Sequence, residues 1–194
     1  MYKFQMTLQR ITSFLLLGAA ALVFVYSLGV MTDVYNSLYL LSSYDPIWDS
    51  FLYVEGADVY LKMQGFNQQL TTAGIVLILS AVSLFLFNTH NRRKYYVANY
   101  ITIGINAILN VAVVVWMHIE VLIYKAQYLQ VDPARVQEVA EILSMDITMS
   151  TFWFDVHYIV FAVVILATVL SLVNLGLKIA LMIGERKLLK EGGQ

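Results

Sequence analysis

A histidine and a carboxylate stand two residues apart at two places in this sequence, each time beside a strongly apolar run. The first pair is His118 and Glu120, in WMHIE, and the second is Asp155 and His157, in FDVHY. Imidazoles and carboxylates are the side chains that hold zinc or iron, ligate haem and relay protons. Residues two apart on a helix point about 200° away from each other, so neither pair can hold one ligand alone.

These four side chains meet only if two antiparallel helices bring them to the same level. The cross-helix pairs that this allows include His118 with Asp155 and Glu120 with His157. We expect one structural pair, hydrogen-bonded or ionic, that fixes the two helices at their outer ends. A metal site, or a haem held between the two histidines, is the alternative, although nothing else in the sequence marks either one.

Three asparagines form a second polar pattern. Asn99, Asn106 and Asn110 are spaced by seven and four residues, which places them on one face of a helix. Amide side chains on such a face hydrogen-bond neighbouring helices, or they line a polar path for a solute or proton. Interhelical hydrogen bonding is the favoured interpretation, because no second helix carries a matching continuous stripe.

The composition places these residues in a membrane protein. The chain has 194 residues, 60% of them hydrophobic and 13% charged, whereas soluble domains are about 45 to 50% apolar and about 25% charged. It has no cysteine, which excludes disulfides, thiolate chemistry and iron–sulfur clusters. No nucleophile elbow, zinc-protease, P-loop or dinucleotide motif is present. We therefore expect a non-enzymatic protein without a cofactor.

Four segments are long and apolar enough to cross a bilayer, which takes about 20 residues of helix. We predict one domain over residues 1–194, an all-α four-helix membrane bundle with helical extensions and a short amphipathic helix on its outer side. The predicted spans are residues 11–31, 72–87, 98–124 and 152–183, joined on the outer side by connections over residues 32–71 and 125–151.

The distribution of basic residues predicts the orientation. Nine of the twelve lysines and arginines lie before the first span, between the second and third, or toward the end of the fourth span and after it. Because basic loops stay in the cytoplasm, both termini are predicted to be cytoplasmic and the protein to be a multi-pass protein of the cell membrane. The basic loop NRRKYY is explained by this rule, so no nucleic-acid partner is expected.

The first outer connection is too rich in aromatic residues for a disordered linker. Residues of the first helix continue outward at helical spacing until Asp45 and Pro46 end the pattern. After the break at Gly56, four apolar residues recur at intervals of three and four, so a helix is expected to lead into the second span. These four residues are Val59, Met63, Phe66 and Leu70.

The second outer connection contains a helix start, with Asp132 as N-cap and Pro133 at the first helical position. An apolar stripe follows opposite acidic residues, and it predicts a short amphipathic helix that packs on protein rather than on anionic lipid. The stripe consists of Val136, Val139, Ile142 and Leu143.

The function expected from these features is that of an accessory or scaffolding subunit of a membrane transport or envelope complex. Its predicted partners are the lipid bilayer and either another membrane protein or a second copy of the chain. The topology resembles those of claudin-type tetraspans and of four-helix small subunits of transporters, but the loop cysteines of claudins are missing. The alternatives are an oligomeric channel or transporter that uses the asparagine stripe, and a metal- or haem-binding membrane enzyme.

Overall fold

The computed structural model describes residues 2–89 and 96–191, and within these ranges the chain is helical without any strand. The prediction of an all-α fold is therefore confirmed. Residues 91–95 of the basic loop NRRKYY lie outside the described residues, and its last residue, Tyr96, begins a helix. The elements are α1 (Tyr2–Gly29), α2 (Thr32–Leu38), a 3-10 turn (Leu41–Ser43), α3 (Val59–Thr89), α4 (Tyr96–Tyr128), α5 (Pro133–Ile142) and α6 (Phe152–Glu191).

Four helical stretches are long and apolar enough to cross a membrane, with mean hydropathies of 2.0 to 2.6. Each of them overlaps one predicted span, so their number and order agree with the sequence. The stretches are Lys3–Leu38, Val59–Phe87, Tyr100–Tyr128 and Phe152–Gly184.

The predicted outward continuation of the first helix is present but broken into pieces. Helix α1 ends at Gly29, and the chain becomes helical again in α2, which begins at Thr32. The 3-10 turn ends at Ser43, shortly before Asp45. The aromatic ring of Trp153 lies so close to Gly29 that a Cβ there would stand 2.3 Å from a ring carbon. Glycine is a poor helix former, and it is the residue that admits this ring at the point where the helix stops.

Helix α3 begins at Val59, well before the predicted span, as the spacing of its apolar residues indicated. Val59, Met63, Phe66 and Leu70 are all buried, which confirms that they form one packed face. Gly56 precedes the helix with a φ of 83°, a left-handed conformation that glycine adopts without strain.

Helix α5 begins as predicted, since the Asp132 carboxylate accepts a hydrogen bond of 2.9 Å from the backbone N–H of Ala134. Its packed face agrees only in part with the predicted stripe, because Ala140 is added, Leu143 is half-buried and Ile142 is exposed. Val136, Val139 and Ala140 are buried, whereas Ile142 is 53% exposed. Six residues after Val136 the helix has turned about 240° from its starting direction, so Ile142 faces away from the packed side.

The chain forms two compact units, and each long helix contributes a segment to both. The terminal unit comprises Met1–Leu22, Ile75–Val114 and Ala162–Gln194, and the loop unit comprises Val23–Gly74 and Val115–Phe161. The loop unit contains both long connections and both histidine–carboxylate pairs. The single domain predicted over residues 1–194 stays a prediction.

Candidate functional site

The two histidines of the loop unit meet across helices α4 and α6. Nε2 of His157 lies 3.0 Å from Nδ1 of His118, and Nδ1 of His157 contacts the carbonyl oxygen of Phe154. A carbonyl only accepts hydrogen bonds, so Nδ1 of His157 carries the hydrogen. In neutral His157 the Nε2 atom is then an acceptor, and Nδ1 of His118 donates to it.

This arrangement joins the helices through a buried group. His157 is 0% exposed, and the ring of His118 is flanked by those of Tyr158 and Phe161, at centroid distances of 5.8 and 4.9 Å. A buried ring nitrogen without a partner is costly, and each histidine supplies the other's partner. The pair is therefore suited to holding α4 and α6 together.

Asp155 has a different partner from the one expected. Its carboxylate lies 2.6 Å from Nζ of Lys125 and accepts a hydrogen bond of 3.0 Å from the hydroxyl of Thr151. The structure thus joins histidine to histidine and Asp155 to Lys125, instead of forming either cross-helix pair named from the sequence. Glu120 is partly buried on α4 and belongs to neither contact. Lys125 was not predicted as the partner of Asp155. Its opposite charge and its predicted position near the same outer end of the helices were the signal for this pair.

The metal and haem alternatives gain no support from this geometry. Within the described part of the chain, no three His, Asp or Glu side chains are grouped so that they could hold a metal ion. A structural zinc site takes four protein ligands and a catalytic one takes three. In the histidine pair three of the four ring nitrogens are already engaged by each other or by Phe154.

The asparagine stripe of α4 lies in the terminal unit and makes one interhelical hydrogen bond and one within the helix. The amide of Asn106 donates to the hydroxyl of Ser80 on α3 at 3.0 Å. The side-chain amide of Asn110 donates to the side-chain oxygen Oδ1 of Asn106, also at 3.0 Å. Both asparagines are buried, whereas the side chain of Asn99 lies outside the described residues. These contacts favour helix association over a solute path.

Two glutamines near the start of α1 belong to a second buried polar cluster of the terminal unit, which was missed. The amide of Gln5 donates to Gln9 at 3.0 Å and to Asn174 of α6 at 3.3 Å, and all three side chains are buried. Gln5, Gln9 and Thr12 continue the packed face of Leu16 at spacings of three and four residues. A prediction based on apolar residues alone therefore starts the first span after Gln5 and Gln9.

An exposed apolar surface stands on the first connection of the loop unit. Ile47, Trp48 and Phe51, here named the apolar loop, are 78%, 84% and 63% exposed. The Asp45 carboxylate accepts hydrogen bonds from the backbone of Ile47 at 2.7 Å and of Trp48 at 3.2 Å. The backbone N–H of Asp49 in turn donates to the carbonyl of Asp45 at 2.9 Å. The exposed side chains therefore stand on a hydrogen-bonded turn.

Arg135 of α5 joins that turn to the second connection. Its guanidinium donates to the backbone carbonyl of Phe51 at 2.6 Å and to that of Tyr53 at 3.3 Å. It also lies 2.7 Å from the carboxylate of Glu138. The contacts with Phe51 and Tyr53 support the prediction that α5 packs on protein.

A cavity of 650 Å³ opens beside Arg135 within the loop unit. Three carboxylates and two cations line it, together with two glutamine amides and one tyrosine. The lining residues are Tyr53, Val54, Glu55, Gly56, Asp58, Val59, Lys62, Gln127, Gln130, Asp132 and Arg135.

The fold defines a helical protein with four candidate membrane-spanning helices, which fits a membrane location. No protein-family model, curated protein or solved structure matches this chain.

Proposed function

We propose that this chain is a non-enzymatic accessory or scaffolding subunit of a complex in the cell membrane. It crosses the membrane four times, with both termini in the cytoplasm and the loop unit facing outward. The apolar length of the four helices and the clustering of basic residues support this topology. The subunit binds another membrane protein through the loop unit.

The exposure of the apolar loop is the observation that carries this proposal. Trp48 is 84% exposed and its neighbours Ile47 and Phe51 are 78% and 63% exposed. Exposed apolar groups clustered on one turn are typical of binding surfaces, and tryptophan is prominent among residues that dominate binding energies. The turn is held by hydrogen bonds that the Asp45 carboxylate accepts and Arg135 donates. It is therefore ordered before a partner binds, which reduces the entropy lost on association.

Site-specific photocrosslinking tests this function in intact cells. A benzophenone amino acid in place of Trp48 is expected to give one abundant protein adduct, recovered with the chain in a fixed ratio. The same probe in place of Leu129, which is 62% exposed in the same unit, is the control. Adducts to lipid alone, or equal adducts at both positions, contradict the proposal.

An oligomeric channel or transporter is the second candidate, and it rests on the presence of buried amides in the terminal unit. Gln5, Gln9, Asn106, Asn110 and Asn174 are all buried there, and a polar path needs such groups. A single four-helix unit has little interior room, so this function requires several copies. Solute flux into proteoliposomes tests this function. Loss of flux in a folded Asn106→Leu variant supports a channel or transporter, whereas unchanged flux contradicts it.

A further inference from the structure

We propose that the cavity beside Arg135 receives a lysine or arginine side chain of the partner protein. The partner surface then carries an apolar pocket for the apolar loop and a cationic side chain next to it. This inference rests on the proposed function, because both features belong to one partner.

The cavity and the apolar loop are parts of one surface. Arg135 lines the cavity, and the same guanidinium binds the carbonyl of Phe51 in the apolar loop. Tyr53, whose carbonyl also accepts from Arg135, is itself a lining residue. A partner segment that covers Phe51 is therefore within one side-chain length of the cavity.

The charges of the lining leave an excess of negative charge. Lys62 is paired with Asp58 at 2.6 Å, and Arg135 is paired with Glu138 and with backbone carbonyls. Glu55 is exposed and has no hydrogen-bond or ion-pair partner within the described ranges. Among the described residues, the Asp132 carboxylate accepts a hydrogen bond from the backbone of Ala134 and has no cationic partner. Glu55 and Asp132 thus keep net charge that a cation can neutralise.

An unused acceptor in the lining favours the same occupant. The side-chain oxygen of Gln127 is buried and has no hydrogen-bond partner among the described residues, and Gln127 is one of the lining residues. Ammonium and guanidinium groups are pure donors, so they satisfy the two carboxylates directly, and they reach the Gln127 oxygen once that side chain turns toward the cavity. Anionic groups such as phosphates meet the repulsion of Glu55 and Asp132 instead, which argues for a protein partner over an anionic lipid surface.

Binding of short peptides to the protein in nanodiscs tests this inference directly. The probes are acetyl-Leu-Arg-Leu-amide, acetyl-Leu-Gln-Leu-amide and acetyl-Leu-Glu-Leu-amide, with binding followed by ligand-observed NMR. The arginine peptide is expected to bind about fivefold more tightly than the glutamine peptide, and the glutamate peptide least. Equal binding of the arginine and glutamine peptides, or no binding of either, overturns the inference.

A charge-reversal variant with a matched control locates the effect. Glu55→Lys is expected to abolish the preference for arginine over glutamine, because it adds a cation to the cavity. Glu141→Lys makes the same charge change on an exposed residue of α5 that does not line the cavity, and it is expected to keep the preference. A preference that survives Glu55→Lys also overturns the inference.

The two proposals fail in different ways. If Trp48 crosslinks to a protein but the peptides bind without charge preference, the partner function stands and the cation site falls. If the arginine peptide is preferred but Trp48 gives no protein adduct, the cavity binds cations and the partner function falls.

Discussion

At the scale of single residues, the contact of His118 with His157 joins α4 to α6 within the loop unit. His118 and His157 are recognisable because imidazoles in apolar runs need partners. Which side chain each meets depends on the rotation of α4 and α6 about their axes. Rotating α6 by half a turn would place Asp155 instead of His157 against α4. No local sequence pattern determines the rotation of a helix that precisely.

The histidine pair predicts a non-additive response to substitution. His118→Phe leaves Nε2 of the fully buried His157 without its partner, which is expected to lower the free energy of unfolding by about 1 to 3 kcal/mol. The double variant His118→Phe with His157→Phe removes both polar groups, so part of this loss is expected to be recovered. Thermal unfolding in detergent measures both. A double variant less stable than His118→Phe contradicts this account of the pair.

At the scale of elements, apolar spacing predicted which segments are helical better than it predicted their ends. The start of α3 at Val59 follows from local spacing, and so does the cap of α5 at Asp132. The end of α1 at Gly29 coincides with the ring of Trp153, 124 residues later in the sequence, and local patterns do not contain this contact. The polar start of α1 was missed because Gln5 and Gln9 find buried partners that composition alone does not reveal.

The contact of Gly29 with Trp153 predicts opposite outcomes for two glycine substitutions. Gly29→Ala places a Cβ 2.3 Å from the ring, so it is expected to destabilise the protein by about 1 to 3 kcal/mol through overpacking. Gly18→Ala meets nothing within 4 Å and is expected to stabilise helix α1 by about 0.5 to 1 kcal/mol. Thermal unfolding of the two variants provides the comparison. Equal changes in the free energy of unfolding at both positions contradict the close contact between Gly29 and the ring of Trp153.

At the scale of the whole molecule, composition and charge predict more than any motif does. Four apolar helices follow directly from runs of about 20 apolar residues, and the structure contains them. The orientation rests on lysine and arginine positions alone. The proposed partner surface depends on the tertiary contacts of Arg135, which join the two connections through residues that are 84 positions apart in sequence. Such a surface has no signature in either connection taken separately.

The proposed topology predicts where single cysteines are labelled. The natural chain has none, so each introduced thiol reports one position. A cysteine in place of Asp49 or Glu141 is expected to react in intact cells with a maleimide that cannot cross membranes. A cysteine in place of Lys187 is expected to react only after permeabilisation. Labelling of all three positions, or the reverse pattern, contradicts the proposed orientation.

The polar face at the start of α1 has a consequence for biogenesis. Gln5 is bound by Asn174, which lies 169 residues later in the chain. During synthesis the first helix leaves the ribosome long before its partner exists, so its amides reach the bilayer without this interhelical hydrogen bond. Packing of the polar face of α1 is therefore completed only when α6 arrives, and a chain that stops before α6 leaves Gln5 without this interhelical partner.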